Sequence, residues 1–162
     1  MRAFLPQFRR QRSGHIVMTS SISGRMGFPG VSSYVASKFA VEGWAETLRL
    51  EMKPLGIQVA LVEPGSFETN IWSSGATMAK QSLDPQSPNA ARAQQLIGRM
   101  KNGKPKADPQ IVADGIAAIL SDPRPRLRYV FGRDAKIGLL LKHLLPASVA
   151  EWLLIKASGI AA

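Results

Sequence analysis

The stretch HIVMTSSISG, residues 15–24, decides how the chain is read. Its first half, His15 to Thr19, is a short apolar run preceded by Ser13-Gly14 and followed by serines, the pattern of a buried strand. Its second half opens a Ser- and Gly-rich segment that runs to Phe28-Pro29-Gly30 and reads as a loop. Hydroxyl groups therefore gather at the carboxyl end of a buried strand. In open parallel sheets, ligands bind at that end.

Outward from this stretch, strands and helices alternate. Before it, Phe4, Leu5 and Phe8 fall at helical spacing, so residues 1–8 read as the tail of a helix. After it, Ser32 and Ser33 are candidate N-caps for a long helix from Tyr34 to about Met52, which stops near Lys53-Pro54 and Gly56. Ile57 to Val62 is a second buried strand, closed by Pro64-Gly65. Ser66 to Asn89 is long and polar, a functional loop or a partly disordered one. A helix is expected over Ala90–Met100. Another spans Gln110–Leu120, with Asp108 as its N-cap and Pro109 at its first position. Arg128–Phe131 is a third strand. Two amphipathic helices, about Asp134–Leu144 and Ala147–Ala157, close the chain. Apolar strands alternating with helices predict an α/β fold, a parallel sheet of about three strands with helices on both faces. A glycine-rich phosphate loop after a first strand is absent from these 162 residues.

Composition bounds the partners. The chain fits one domain, and it contains no cysteine, so neither disulfides nor thiolate metal ligands enter. Cytoplasm is the default compartment. The net charge is +10, concentrated in Arg9, Arg10 and Arg12 and in Arg124, Arg126, Arg128 and Arg133. These arginines are not interleaved with exposed aromatics in any recognisable binding module, so a solvated basic surface is preferred to a nucleic-acid partner. No metal site is expected. His15 at the strand start reads as structural, and His143 as a surface position.

Tyr34 and Lys38 stand four apart, on one face of the long helix. A phenol is a poor base at neutral pH. An ammonium group within about 6 Å favours the phenolate. Such a phenol is able to donate a proton to a carbonyl oxygen and take it back in reverse. Carbonyl reduction also needs a group to hold the oxygen, and a serine hydroxyl suits that role. Ser20, Ser21 and Ser23 sit directly after the first strand. The Tyr-x-x-x-Lys spacing taken alone is common by chance, and a tyrosine at a helix start is often only a packing residue.

The combination of HIVMTSSISG, then YVASK, then VALVEPGSFET resembles the short-chain dehydrogenase/reductase family, from Met1 to about Phe131. The resemblance implies that Ser21, the second serine of the pair, holds the substrate oxygen, and that Tyr34 is the acid/base. It gives Lys38 two roles, easing proton loss from Tyr34 and binding the nicotinamide ribose of NAD or NADP. It implies that Pro64, Gly65, the loop backbone around Phe67 and the Thr69 hydroxyl contact the nicotinamide carboxamide. Residues 66–107 would form the substrate loop and its helices. The fold implied is a partial Rossmann-type doubly wound sheet over residues 1–132, followed by C-terminal helices over 133–162. The family's first strands, with their glycine-rich turn, Asn-Ala-Gly motif and active-site Asn, have no counterpart here. The chain therefore looks like the C-terminal part of such an enzyme. The strand His15–Thr19 becomes an edge with unpaired backbone groups, which predicts poor solubility or pairing.

Met26 and Phe28 read either as the lining of a substrate pocket or as core. Glu42, Glu46 and Arg49 read as solvated or interface charges. The family packs the helix 34–52 against its copy, so a homo-oligomer is expected. For the C-terminal helices the open readings are a lid over a lipophilic substrate, contact with a membrane surface, or plain packing on the sheet, and packing is preferred. Functionally, the expectation is an NAD(P)-dependent oxidoreductase, truncated here, that interconverts a carbonyl and a secondary (or primary) alcohol on a lipophilic small molecule. The rivals are a non-catalytic remnant that pairs with a full-length relative and a basic surface-binding module.

Overall fold

The computed structural model describes residues 3–72, 84–102 and 106–158. Three strands, β1 (Gly14–Thr19), β2 (Ile57–Pro64) and β3 (Arg128–Phe131), form one sheet in the order β1-β2-β3. Both pairings are parallel, with Gly14 opposite Ile57 and Leu61 opposite Arg128. Among the described residues, six α-helices surround it: α1 (Leu5–Gln11), α2 (Ser32–Met52), α3 (Ala90–Asn102), α4 (Gln110–Ser121), α5 (Arg133–Leu144) and α6 (Ala147–Ser158). The α/β fold with a three-stranded parallel sheet is as the alternation of elements predicts.

β2 is the centre, and Val59 to Glu63 are all essentially excluded from solvent. Successive strand residues point to opposite faces, and the core divides accordingly. Ile57 and Val59 pack with Ile16, Leu48 and Met52 on the α2 side. Ala60 and Val62 pack with Ile119 of α4 on the other. The long helix α2 is Pro-free, and its buried positions Glu42, Ala45, Leu48 and Met52 recur at helical spacing. It ends through a short 3-10 turn at Gly56, whose φ of 75° suits glycine.

β1 pairs only with β2 among the described residues, so it is the edge strand that the sequence predicts. His15 is structural, with a ring nitrogen 2.9 Å from the Asp122 carbonyl oxygen.

Three expectations are corrected. Neither Ser32 nor Ser33 caps α2: the N-cap position is Val31, no side chain caps it, and both serines lie inside the helix. Asp108 precedes α4 rather than opening it, yet its carboxylate still accepts from the Gln110 N–H at 2.8 Å. The preferred packing of the C-terminal helices on the sheet holds only in part. α5 buries Ala135, but α6 buries no residue, and Leu140, Leu144, Trp152 and Ile155 are exposed. Among the described residues, no helix is long and apolar enough to cross a membrane.

Candidate active site

The site assembles where β1 and β2 end. Ser20 N–H donates to the Val62 carbonyl at 2.8 Å, which carries the parallel ladder one residue past β1. Ser21 then turns the chain. Its Oγ accepts from the Ser23 N–H at 3.2 Å and caps the 3-10 turn Ile22–Gly24. The same hydroxyl reaches the Pro64 carbonyl of β2 at 3.5 Å, the long limit of a hydrogen bond. Ser21 is thereby fixed between the two strand ends, with a weak hold on its own proton.

Lys38 joins the helix to this point. Its Nζ donates to the Thr19 carbonyl at 3.0 Å and lies 5.6 Å from the centre of the Tyr34 ring. Gly24 makes the approach of helix and turn close: a Cβ there would stand 2.7 Å from Ser20 Oγ and 3.0 Å from the Lys38 carbonyl oxygen. Tyr34 is exposed. The structure therefore gathers Ser21 and Lys38 at the carboxyl end of β1 and holds the Tyr34 ring near the Lys38 ammonium.

The loop after β2 is pinned from outside the site. Gly65 N–H donates to the Phe131 carbonyl at 2.8 Å, and Ser66 N–H to Asp134 Oδ2 at 2.7 Å. Phe67 is buried and bridges to Ala107, while Thr69 is exposed. Met26 is buried; its sulfur would stand 3.6 Å from a Cβ at Gly138 of α5. Phe28 is half-buried. Residues 73–83 of the expected substrate loop lie outside the described residues.

Behind Lys38 lies a charge cluster that the sequence reading misjudged. Glu42 is buried rather than solvated, and its Oε2 accepts from Arg128 Nε at 2.9 Å. Arg128 also pairs with Glu46 and, at 3.2 Å, with Glu63. Glu63 is fully buried and meets Arg25 at 3.4 Å. Burial first, and then Glu42, push the Glu63 carboxyl above the ordinary carboxylate range; Arg25 and Arg128 oppose this. Arg49 is likewise not free: it donates to the carbonyls of Val59 and Pro125. A signal was present for Glu42, which stands four after Lys38 and so continues the Tyr34–Lys38 face. No local pattern marks its partner Arg128, 86 positions away.

A family model described as short chain dehydrogenase matches residues 1–80. An uncharacterized oxidoreductase of Bacillus subtilis, YusZ, is 40% identical over 154 residues, which are 94% of this chain and 55% of that protein. The human 17-beta-hydroxysteroid dehydrogenase type 6 is 34% identical over 170 residues, 96% of this chain and 51% of that protein. Among solved structures, a short-chain dehydrogenase from Streptomyces avermitilis matches with a TM-score of 0.66 at 34% identity, covering 98% of this chain and 57% of that one. A short chain dehydrogenase/reductase from Burkholderia phymatum in complex with NAD matches with a TM-score of 0.61, covering 88% and 51%. Its identity is 24%, so that likeness is one of fold. The chain spans about half the length of the curated relatives it matches.

Proposed function

Because the chain belongs to the short-chain dehydrogenase/reductase family, we propose that it supplies the catalytic residues of an oxidoreductase interconverting a carbonyl and an alcohol on a small molecule. The observation that carries this reading is the meeting of Lys38 Nζ with both the Thr19 carbonyl and the Tyr34 ring at the strand end that Ser21 leaves.

The residues fit the nicotinamide end of NAD or NADP. An ammonium has three donors, and the Thr19 carbonyl takes one of those on Lys38, which leaves the others for ribose hydroxyls. The Thr69 hydroxyl is on the surface beside the Pro64-Gly65 turn. The bound nicotinamide would supply or accept the hydride. The rest of the chemistry belongs to this chain. Tyr34 donates its phenolic proton to the carbonyl oxygen, or takes it from the alcohol. The Lys38 ammonium favours the phenolate that this leaves. The Ser21 O–H turns from its long bond to Pro64 toward the substrate oxygen, at little cost because that bond is weak.

Two further elements of the reading concern partners. Phe39 and Trp44 of α2 are exposed, which supports a homo-oligomer formed through that helix. A lipophilic substrate is favoured by the buried Met26 and half-buried Phe28 beside the serine turn. One observation favours a different reading, a non-catalytic chain that pairs with a relative: among the described residues β1 pairs only with β2, which leaves its other edge for another strand.

The test is oxidation of NADH or NADPH in the presence of a panel of ketones, using the protein as its source cells make it. The reading predicts turnover that Ser21→Ala lowers about 100-fold or more. Turnover that Ser21→Ala leaves unchanged would contradict it.

A further inference from the structure

Arg25, Leu139, Lys142 and His143 line a cleft of about 150 Å3 between the turn after Ser21 and α5. Arg25 closes the 3-10 turn that Ser21 caps, its N–H on the Ile22 carbonyl at 2.9 Å. α5 comes down on the same turn at Gly138, where a Cβ would stand 3.1 Å from Ile22 Cδ1. Lys142 Nζ donates across to the Arg25 backbone carbonyl. The cleft thus lies one short turn from the hydroxyl assigned to the substrate oxygen.

Three of its four lining residues are basic and none is acidic. Glu63 offsets Arg25 only in part, because the same carboxylate also serves Arg128. The Lys142 bond goes to a neutral carbonyl, and both Lys142 and His143 are exposed. The acid of α5, Asp134, faces the other way and accepts from Ser66 N–H. A concave surface lined by one sign of charge concentrates the opposite ion. Arg and Lys together suit carboxylate or phosphate, one as a planar fork and the other as a point charge. Leu139 adds an apolar wall for the carbons beside such a group. The volume equals that of about five waters in the liquid, enough for a carboxylate and a few carbons.

We propose that this cleft binds an anionic group, a carboxylate or phosphate, carried by the carbonyl substrate beside its apolar part, so that the substrate is an oxo acid or a phosphorylated carbonyl compound. The proposal rests on the oxidoreductase reading only for the carbonyl part of the ligand.

The test is saturation-transfer NMR on the protein as its source cells make it, with levulinate, a short oxo acid, and with its neutral methyl ester. Levulinate should bind at least about tenfold more tightly than the ester, since a charge-assisted contact is lost with the charge. The exposed double substitution Lys142→Gln with His143→Gln should weaken levulinate about tenfold and leave the ester unchanged. Arg9→Gln with Arg10→Gln, in the distant basic cluster, should change neither. Equal binding of acid and ester would overturn the proposal, as would levulinate binding that survives the Lys142/His143 change. Turnover is not read, so failure here leaves the oxidoreductase reading standing, and failure of that reading leaves a positive result here standing.

Discussion

Arg128 Nε donates to Glu42 Oε2 at 2.9 Å, tying the last strand of the sheet to the helix that carries Tyr34 and Lys38. The same guanidinium reaches Glu63 at 3.2 Å, one residue before Pro64. One side chain therefore braces the helix that carries Tyr34 and Lys38 against the end of β2. Replacing it with methionine leaves Glu42 and Glu63 buried together with Arg25 as the remaining cation. Removing one partner from a buried ion pair is strongly destabilising. Arg128→Met is expected to lose about 3 kcal/mol of unfolding free energy in urea denaturation. A loss under about 0.5 kcal/mol, the range of an ordinary surface change, would show that the network does not brace the fold.

Glu63 gives a pH signature. Its carboxyl is raised in the folded state, first by burial and then by Glu42. The folded chain then holds this proton more tightly than the unfolded chain does. The contribution to stability is present in full below the unfolded carboxylate range, about pH 4. It is lost as the pH rises through the folded value. Thermal midpoints of the wild type and Glu63→Gln, followed from acid to neutral pH, should therefore diverge, with the wild type losing ground relative to the variant. Parallel curves would show that Glu63 titrates alike in both states.

Tyr34 separates chemistry from folding. Its ring is exposed, so Tyr34→Phe should shift unfolding free energy by no more than about 0.5 kcal/mol. Turnover should fall by about 100-fold or more, the usual contribution of a positioned proton donor. A variant that keeps its activity would leave Tyr34 as a packing residue at a helix start.

Gly56 is a purely structural control. It has φ of 75°, and a Cβ there would stand 2.2 Å from the Arg12 carbonyl oxygen. Gly56→Ala combines left-handed strain with a clash against backbone and should cost about 2 kcal/mol or more in denaturant unfolding. A neutral result would mean that the α1–β1 turn gives way without penalty.

The sequence made the local features legible and left the long-range ones hidden. All three strands follow from short apolar runs between turn residues, with β2 extending to Pro64 because its backbone pairs with Phe131. α2 follows from a Pro-free periodic stretch, and its start is displaced because no serine hydroxyl reaches a cap position. Lys38 reaches the Thr19 carbonyl at the end of the strand that Ser21 leaves, and its ammonium lies 5.6 Å from the Tyr34 ring. Glu42 reads as a solvated or interface charge because its burial depends on the distant Arg128, and Arg128 reads as part of a basic surface because its partners Glu42, Glu46 and Glu63 are remote in sequence. Pairings over such separations come from the sheet order, which local periodicity does not encode.

The measurement that bears most directly on the central claim is isotope transfer. The protein as its source cells make it would be incubated with a carbonyl substrate and with reduced nicotinamide dinucleotide carrying deuterium as its transferable hydride, alongside Tyr34→Phe. The account predicts deuterium on the carbinol carbon of the alcohol formed by the wild type, with the Tyr34→Phe yield lower by about 100-fold or more. Alcohol formed without the label, or labelled equally by both proteins, would contradict it.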